Sequence, residues 1–314
     1  MPVSNRNNQA EIRDYPCSPY LQPDQFIQFA RGFTRPLEHL RQGLIELRDR
    51  HHQTGVLHLT GLPLDDCLPP TPINGSTPDK SSYMSELVLA WAGSILGEQV
   101  GYRQEKQGAL FHQVTPAVGE EFQQSSEGSM ERLKLHTERC FHPFGPDFLL
   151  LFCLRQDAGG SATSSYCSIA EIYPLLSPTT REILFQPLFQ TGIDYSFIKS
   201  SSANPEGPVL PVLYGDRVYP CFRYDEDLMR GLTPAAEEAL AELGALISEN
   251  MHEILLQPGD MLVLDNRRAA HGRNRFVPSY SPTERWLQRI YVMRDLSLSI
   301  NDRPANGRVI ATEF

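Results

Sequence analysis

The sequence predicts a mostly-β protein with flanking helices, on three observations. Short β-type runs follow one another from Val100 onward, Gly and Pro turns separate them, and helical spacing is concentrated before that point. Apolar residues at helical spacing (Phe26, Phe29, Leu37, Leu40, Leu44, Leu47) mark Asp24 to Arg50 as helical, with Pro36 breaking the segment in two. Val56 to Leu62 reads as a short strand and Tyr83 to Leu96 as a largely apolar helix. Between them Cys67 to Ser81, rich in Pro, Asp, Ser and Thr, reads as an exposed loop. The β-type runs are Val100–Arg103, Ala109–Val114, Phe148–Leu154, Thr163–Ile169, Val209–Leu213, Arg217–Phe222, Met261–Leu264 and Trp286–Val292. One amphipathic helix interrupts them, from Pro234 to about Ser248, with Thr233 as its N-cap. Many short strands of this kind build a double-sheet sandwich or barrel, and the N-terminal helices would buttress one sheet. We expect one domain over residues 1–314, largely helical over 1–99, with its β core over 100–300 and lid loops near 116–131 and 200–207.

The chain carries 38 acidic and 28 basic side chains, a net charge of −10. That balance argues against a nucleic-acid surface, which needs clustered Lys and Arg. No apolar run approaches the ~20 residues of a membrane span. The polar stretch from Met1 to Tyr15 lacks the layout of a secretory signal, so a cytoplasmic address is expected. Six cysteines without a CxxC pair read as free thiols. Cys140 lies close enough to the motif below to be weighed as a metal ligand.

Among nine histidines there is one His-x-acid triplet, His136-Thr137-Glu138. On a strand or its extension, residues i and i+2 face one side, so both side chains can reach one metal ion. His271 follows the run Met261–Leu264. Two imidazoles and a carboxylate form the facial set of non-haem iron(II) oxygenases, which leaves positions open for a chelating co-substrate and O2. With this many histidines and acids, one such triplet is about what chance supplies. A surface histidine bonded to a nearby glutamate explains it equally well.

Arg285 and Arg289 lie four apart on a strongly β-type run and so share a face. If that face points inward, two buried guanidinium groups need anionic partners, and bidentate carboxylates suit them. If it points outward, Trp286, Ile290 and Val292 form an equally coherent inner face. Periodicity leaves both arrangements open.

His136-Thr-Glu138, followed by Phe141-His142-Pro143 and the strand FLLLFCLR, resembles the clavaminate synthase-like oxygenases. The likeness is greatest to the subgroup that hydroxylates free arginine, asparagine or lysine in antibiotic biosynthesis. It continues through RYDEDLM (Arg223 to Met229), LQPGDMLVLDNRRAAHGR (ending at Arg273) and the arginine strand, over about Val100 to Leu296. The resemblance implies a double-stranded β-helix (jelly-roll, cupin-like) core and a dioxygenase using Fe(II), 2-oxoglutarate and O2. It implies His136, Glu138 and His271 as iron ligands and Arg285, assisted by Thr163 or its neighbour Ser164, as the grip on the distal carboxylate of 2-oxoglutarate. Arg289 matches the residue holding the substrate α-carboxylate, and Glu138 would also lie near the substrate amine. Gln104 matches an amine-binding glutamine, with Glu105 and Gln107 as alternatives. Asp225 and Asp227 match acids that meet a cationic side chain, so a basic amino acid such as arginine is the expected substrate, hydroxylated at Cβ or Cγ. Lysine, citrulline, and desaturation or cyclisation are the same-fold alternatives; a non-catalytic ligand-binding barrel is the rival from another class. Asn266 and Arg268 are candidate supports for His271, while His142 reads as packing and His112 and His252 as residues without a chemical role.

Overall fold

The computed structural model describes residues 15–33, 37–49, 53–194, 197 and 206–313. The Pro36 break, His51-His52 (which the sequence suggests as a solvated cap near a helix end) and residues 200–205 of the second expected lid fall outside them. Helices α1 (Pro23–Arg31) and α2 (Glu38–Arg48) come first, then strand β1 (Val56–Leu59) and helix α3 (Met84–Leu96). Strands β2 (Glu98–Tyr102), β3 (His112–Val114), β4 (Leu133–His136), β5 (Phe148–Arg155) and β6 (Ser164–Ser168) follow. Next are helices α4 (Ile169–Ile172) and α5 (Pro178–Leu184) and strands β7 (Phe189–Gly192) through β8 (Glu206–Leu210), β9 (Leu213–Gly215), β10 (Pro220–Phe222) and β11 (Arg230–Gly231). Helix α6 (Pro234–Asn250) precedes β12 (His252–Ile254), β13 (Met261–Asp265), β14 (Ala269–Arg273), β15 (Trp286–Met293) and β16 (Val309–Ile310). Thr233 caps α6 as expected, its hydroxyl accepting the Ala236 N–H at 3.1 Å.

Two sheets organise the molecule. The larger runs β1-β13-β5-β15-β2-β16, with β3 also paired to β15; the smaller runs β12-β6-β14-β4. Alternation along the strands explains the layers. On β5, Phe148, Leu150, Phe152 and Leu154 join Phe26, Leu44, Leu87 and Trp91 of α1–α3 in one apolar cluster. The intervening Leu149, Leu151 and Cys153 enter a second cluster, which reaches Ala269 of the smaller sheet. A third cluster packs α6, through Ala236, Ala239, Leu243 and Ile247, on Leu135, Cys167 and Ala270. Helices therefore cover the outer face of each sheet, and the remaining faces look toward each other. By the same alternation His136, His271 and Arg273 point between the sheets.

Sequence boundaries held where apolar runs are long and failed where they are short. The expected strand Val209–Leu213 is two strands, broken at Pro211, which lacks the N–H a ladder needs. β14, with the sequence Ala-Ala-His-Gly-Arg, carries no β-forming signature and is not among the expected strands. Residues 116–131 form a turn-rich loop tied by its own backbone bonds, among them Ser129 N–H to Glu121 O at 2.9 Å.

The helical layer holds a buried charge network. Lys80 donates to Asp65 and Glu86, both at 2.7 Å, and all three side chains are fully excluded from solvent. Lys80→Met would strand two carboxylates, and we expect a loss of about 3–5 kcal/mol, read by urea unfolding. An unchanged midpoint would mean that the network contributes nothing.

Candidate active site

Strand pairing assembles the first part of the site. β14 lies against β4 with His271 opposite His136. Gly272 permits this approach, because a Cβ there would sit 2.5 Å from the Leu133 carbonyl oxygen. Just beyond the end of β4, Glu138 completes the group: His136, Glu138 and His271 offer ligand atoms that all lie within 4.8 Å of one another. Asn266 fixes the glutamate backbone, accepting its N–H at 2.7 Å and donating to its carbonyl at 2.9 Å. Arg268, the other expected support, donates instead to the Gln53 carbonyl.

The donor set fits a divalent ion. The His136 Nδ1–H donates to the Lys134 carbonyl at 2.9 Å, which leaves Nε2 free to ligate. Burial pushes His271 down to about 3, so its 3.7 Å contact with Glu138 involves a neutral ring. Burial opposes ionisation of Glu138, but Arg139 and Arg289 outweigh it and hold the carboxyl down at about 2. Neutral imidazole and ionised carboxylate are the states that metal binding requires. Glu138 Oε2 is buried without a hydrogen-bond partner among the described residues. Cys140 is turned to Thr191 Oγ1 at 3.3 Å and lies outside the group.

At one end of this group Arg285, immediately before β15, is 5% exposed. No carboxylate among the described residues lies within ion-pair distance of it. Its guanidinium stacks on Phe276 at 5.6 Å, and that of Arg273 lies over the same ring at 5.1 Å. Burial pulls both guanidinium groups below their ordinary values, Arg273 to about 9. Arg273 Nη2 and Thr163 Oγ1 are buried polar atoms without partners among the described residues. Arg273 is two residues from His271 on one strand face, about 7 Å away. Carboxylate oxygens are the partners that these buried guanidinium groups and the Thr163 hydroxyl lack.

At the other end Arg289 of β15 donates to Glu105 at 2.6 Å and to His112 Nδ1 at 3.1 Å, and approaches Glu138 at 3.6 Å. Both arginines of the β15 pattern thus face inward. His112, set aside in the sequence, supports Arg289. Burial keeps it neutral, at about 4, and its Nε2–H donates to the Ala109 carbonyl at 2.9 Å. Glu105, one of the alternatives to Gln104, is held well below the usual carboxylate range by Arg139 and Arg289 against the effect of burial. Gln104 turns away, donating to the Thr312 carbonyl at 2.6 Å, because the chain reverses immediately after β2.

Asp225 bridges to His136 and is buried; burial raises its carboxyl to about 6. Its companion Asp227, expected to meet the substrate side chain with it, points elsewhere. Asp225 Oδ1 accepts the N–H groups of Asp227 and Leu228 at 2.9 and 2.8 Å, a local turn that swings the Asp227 side chain outward to pair with Lys134. Arg139 and Asp194 went unnoticed in the sequence: they pair with each other, and Arg139 also pairs with Glu105. His142 packs among aromatic rings as expected, and His252 meets Glu171 near the surface.

A set of two histidines and a glutamate between two sheets, with a buried arginine that has no acid partner among the described residues, is the arrangement of a mononuclear non-haem oxygenase. Residues 14–291 match the family model described as taurine catabolism dioxygenase TauD, TfdA family, and the chain belongs to that family. It is 39% identical to the L-asparagine oxygenase of Streptomyces coelicolor over 86% of this chain and 80% of that one. Clavaminate synthase 2 of Streptomyces clavuligerus is 35% identical, over 82% and 80% respectively. A solved asparagine oxygenase, in complex with Fe(II), 2S,3S-3-hydroxyasparagine and succinate, superposes with a TM-score of 0.85 at 38% identity, covering 92% of this chain and 90% of that one. The non-heme iron oxygenase OrfP, with Fe, succinate and (3S)-hydroxy-L-Arg, gives 0.81 at 27% identity, covering 91% of each. The resemblance read from the motifs therefore holds, and the match begins well before Val100. No helix among the described residues is long and apolar enough to cross a membrane.

Proposed function

We propose that this protein hydroxylates an unactivated C–H bond, at Cβ or Cγ, of a free amino acid whose side chain ends in N–H donors. The reading assigns His136, Glu138 and His271 to Fe(II), Arg285 with Thr163 to the distal carboxylate of 2-oxoglutarate, and Arg289 to the substrate α-carboxylate. Glu105, in place of Gln104, receives the α-amine together with Glu138. Asp225 meets the side-chain end. Bound iron with 2-oxoglutarate and O2 supplies the oxidising power, releasing succinate and CO2. The chain's own groups bind, orient and keep water out. The two sheets form the double-stranded β-helix core of a single domain, with α1–α3 as its buttress and the loop at 116–131 as a lid; most of the second expected lid, 200–207, lies outside the described residues.

The observation that carries the reading is the juxtaposition of the three-ligand group with an inward arginine lacking any acid partner among the described residues. A zinc hydrolase has no use for that cation. The expected basic substrate rested on two acids; with Asp227 engaged by Lys134, Asp225 alone supports it. A panel of free amino acids, assayed for succinate release and product mass, tests the proposal. One added oxygen atom in the product means hydroxylation, and two lost hydrogens mean desaturation or ring closure. If anaerobic Fe(II) and 2-oxoglutarate give no visible charge-transfer band, the non-catalytic barrel is favoured instead.

A further inference from the structure

We infer that Arg139 sets the charge of the substrate's side chain: by pairing with Glu105 and Asp194 it fits the pocket to a neutral N–H-bearing end group, such as a carboxamide, and against a guanidinium or ammonium. The inference rests on the amino-acid reading of the site. Arg139 follows Glu138 directly, and its φ of 57° lies in the left-handed region that a residue with a Cβ enters at a cost. That turn brings the side chain back into the pocket, where it is 4% exposed. One terminal nitrogen pairs with Glu105 and the other with Asp194; Nε lies 3.7 Å from Glu138. The guanidinium is further enclosed by Phe197 at 4.7 Å and Tyr102 at 5.7 Å, and it reaches the Tyr291 hydroxyl at 3.4 Å. With acids on two sides and rings around it, this cation is built in.

Its consequence is a matter of charge balance. Four acids surround the space beside the metal group: Glu105, Glu138, Asp194 and Asp225. Glu105 faces Arg139 and Arg289, Glu138 belongs to the metal, and Asp194 faces Arg139. Only Asp225 has no Lys or Arg within ion-pair distance among the described residues, and one of its oxygens is already committed to two backbone N–H groups. A cationic end group buried there would have a single, half-engaged carboxylate and an arginine nearby. A buried charge so poorly matched is costly, whereas an amide needs one acceptor and no countercharge. Arg139 therefore acts as a specificity determinant toward the side chain, separate from the recognition of the α-carboxylate by Arg289.

The test measures amino-acid binding by calorimetry, on protein loaded with 2-oxoglutarate and with zinc in place of iron so that no turnover intervenes. Succinate release from the iron form is followed in parallel. The wild-type protein is expected to prefer asparagine or glutamine over arginine and lysine by at least tenfold. Arg139→Asn should shift that ratio at least tenfold toward the cationic amino acids, and Arg139→Lys should retain most of the original preference. Asp194→Asn, which leaves Arg139 less balanced, should shift the ratio the other way and serves if Arg139→Asn does not fold. A wild-type preference for arginine or lysine, or an unmoved ratio in the folded variants, overturns the inference while leaving the amino-acid reading intact. If no amino acid binds or releases succinate, both fall together.

Discussion

Glu138→Ala is expected to weaken divalent-metal binding by more than 100-fold and to abolish succinate release. Removing a group that merely orients a ligand costs roughly 10–100-fold in metal affinity, and a lost ligand should exceed that range. Asn266→Ala supplies the internal comparison. Asn266 holds the Glu138 backbone from both sides, so its loss should fall within the 10–100-fold range. His271→Ala should match Glu138→Ala, because burial presents its ring in the neutral form that ligates. Equilibrium dialysis with cobalt(II), alongside circular dichroism to verify folding, reads all three. Should Glu138→Ala bind metal as tightly as the wild type, the three-residue centre is wrong.

The parts of this site that were legible in the sequence depend on short-range geometry, and the parts that were not depend on which faces become buried. His136 and Glu138 could be paired because two residues of extended chain share a side. His271 could be proposed from its place after the run Met261–Leu264, but its strand could not, since Ala-Ala-His-Gly-Arg has no strand signature and takes its conformation from β4 and β6 on either side. The orientation of Arg285 and Arg289 was undecidable because β15 is buried on both faces. Trp286 and Ile290 pack against the helices while Leu287 and Tyr291 meet the other layer, so either face looks like an inner one. Gln104 and Glu105 differ by one position in a tight reversal, where alternation no longer predicts direction. Asp227 was misdirected for the same reason, through the turn that Asp225 caps. Arg139 left no local signal. Its partners Glu105 and Asp194 lie tens of residues away on either side, and only the folded chain brings them together.

Arg285→Met is expected to have two effects of opposite sign, and their combination separates a co-substrate grip from a structural ion pair. In the protein without ligand, Arg285 is a buried cation with no acid within ion-pair distance among the described residues, and burial already lowers its affinity for the proton. Replacing such a charge by an apolar side chain of similar length removes a desolvation penalty, so stability should stay the same or rise. Affinity for 2-oxoglutarate should fall steeply, because a buried charge-assisted pair of this kind contributes about 2–5 kcal/mol, equivalent to roughly 30- to 5,000-fold in Kd. Thermal unfolding distinguishes the two terms in one experiment. A ligand at free concentration L that binds only the folded state raises stability by RT ln(1 + L/Kd), so added 2-oxoglutarate should raise the wild-type midpoint and leave the variant's nearly unmoved. Arg273→Met, which removes the second cation over Phe276, should lower the same ligand-induced shift by a smaller amount. A variant at Arg285 that unfolds more easily in the absence of ligand, yet still gains as much from 2-oxoglutarate as the wild type, would mean that its partner is part of the protein and that the dicarboxylate binds elsewhere.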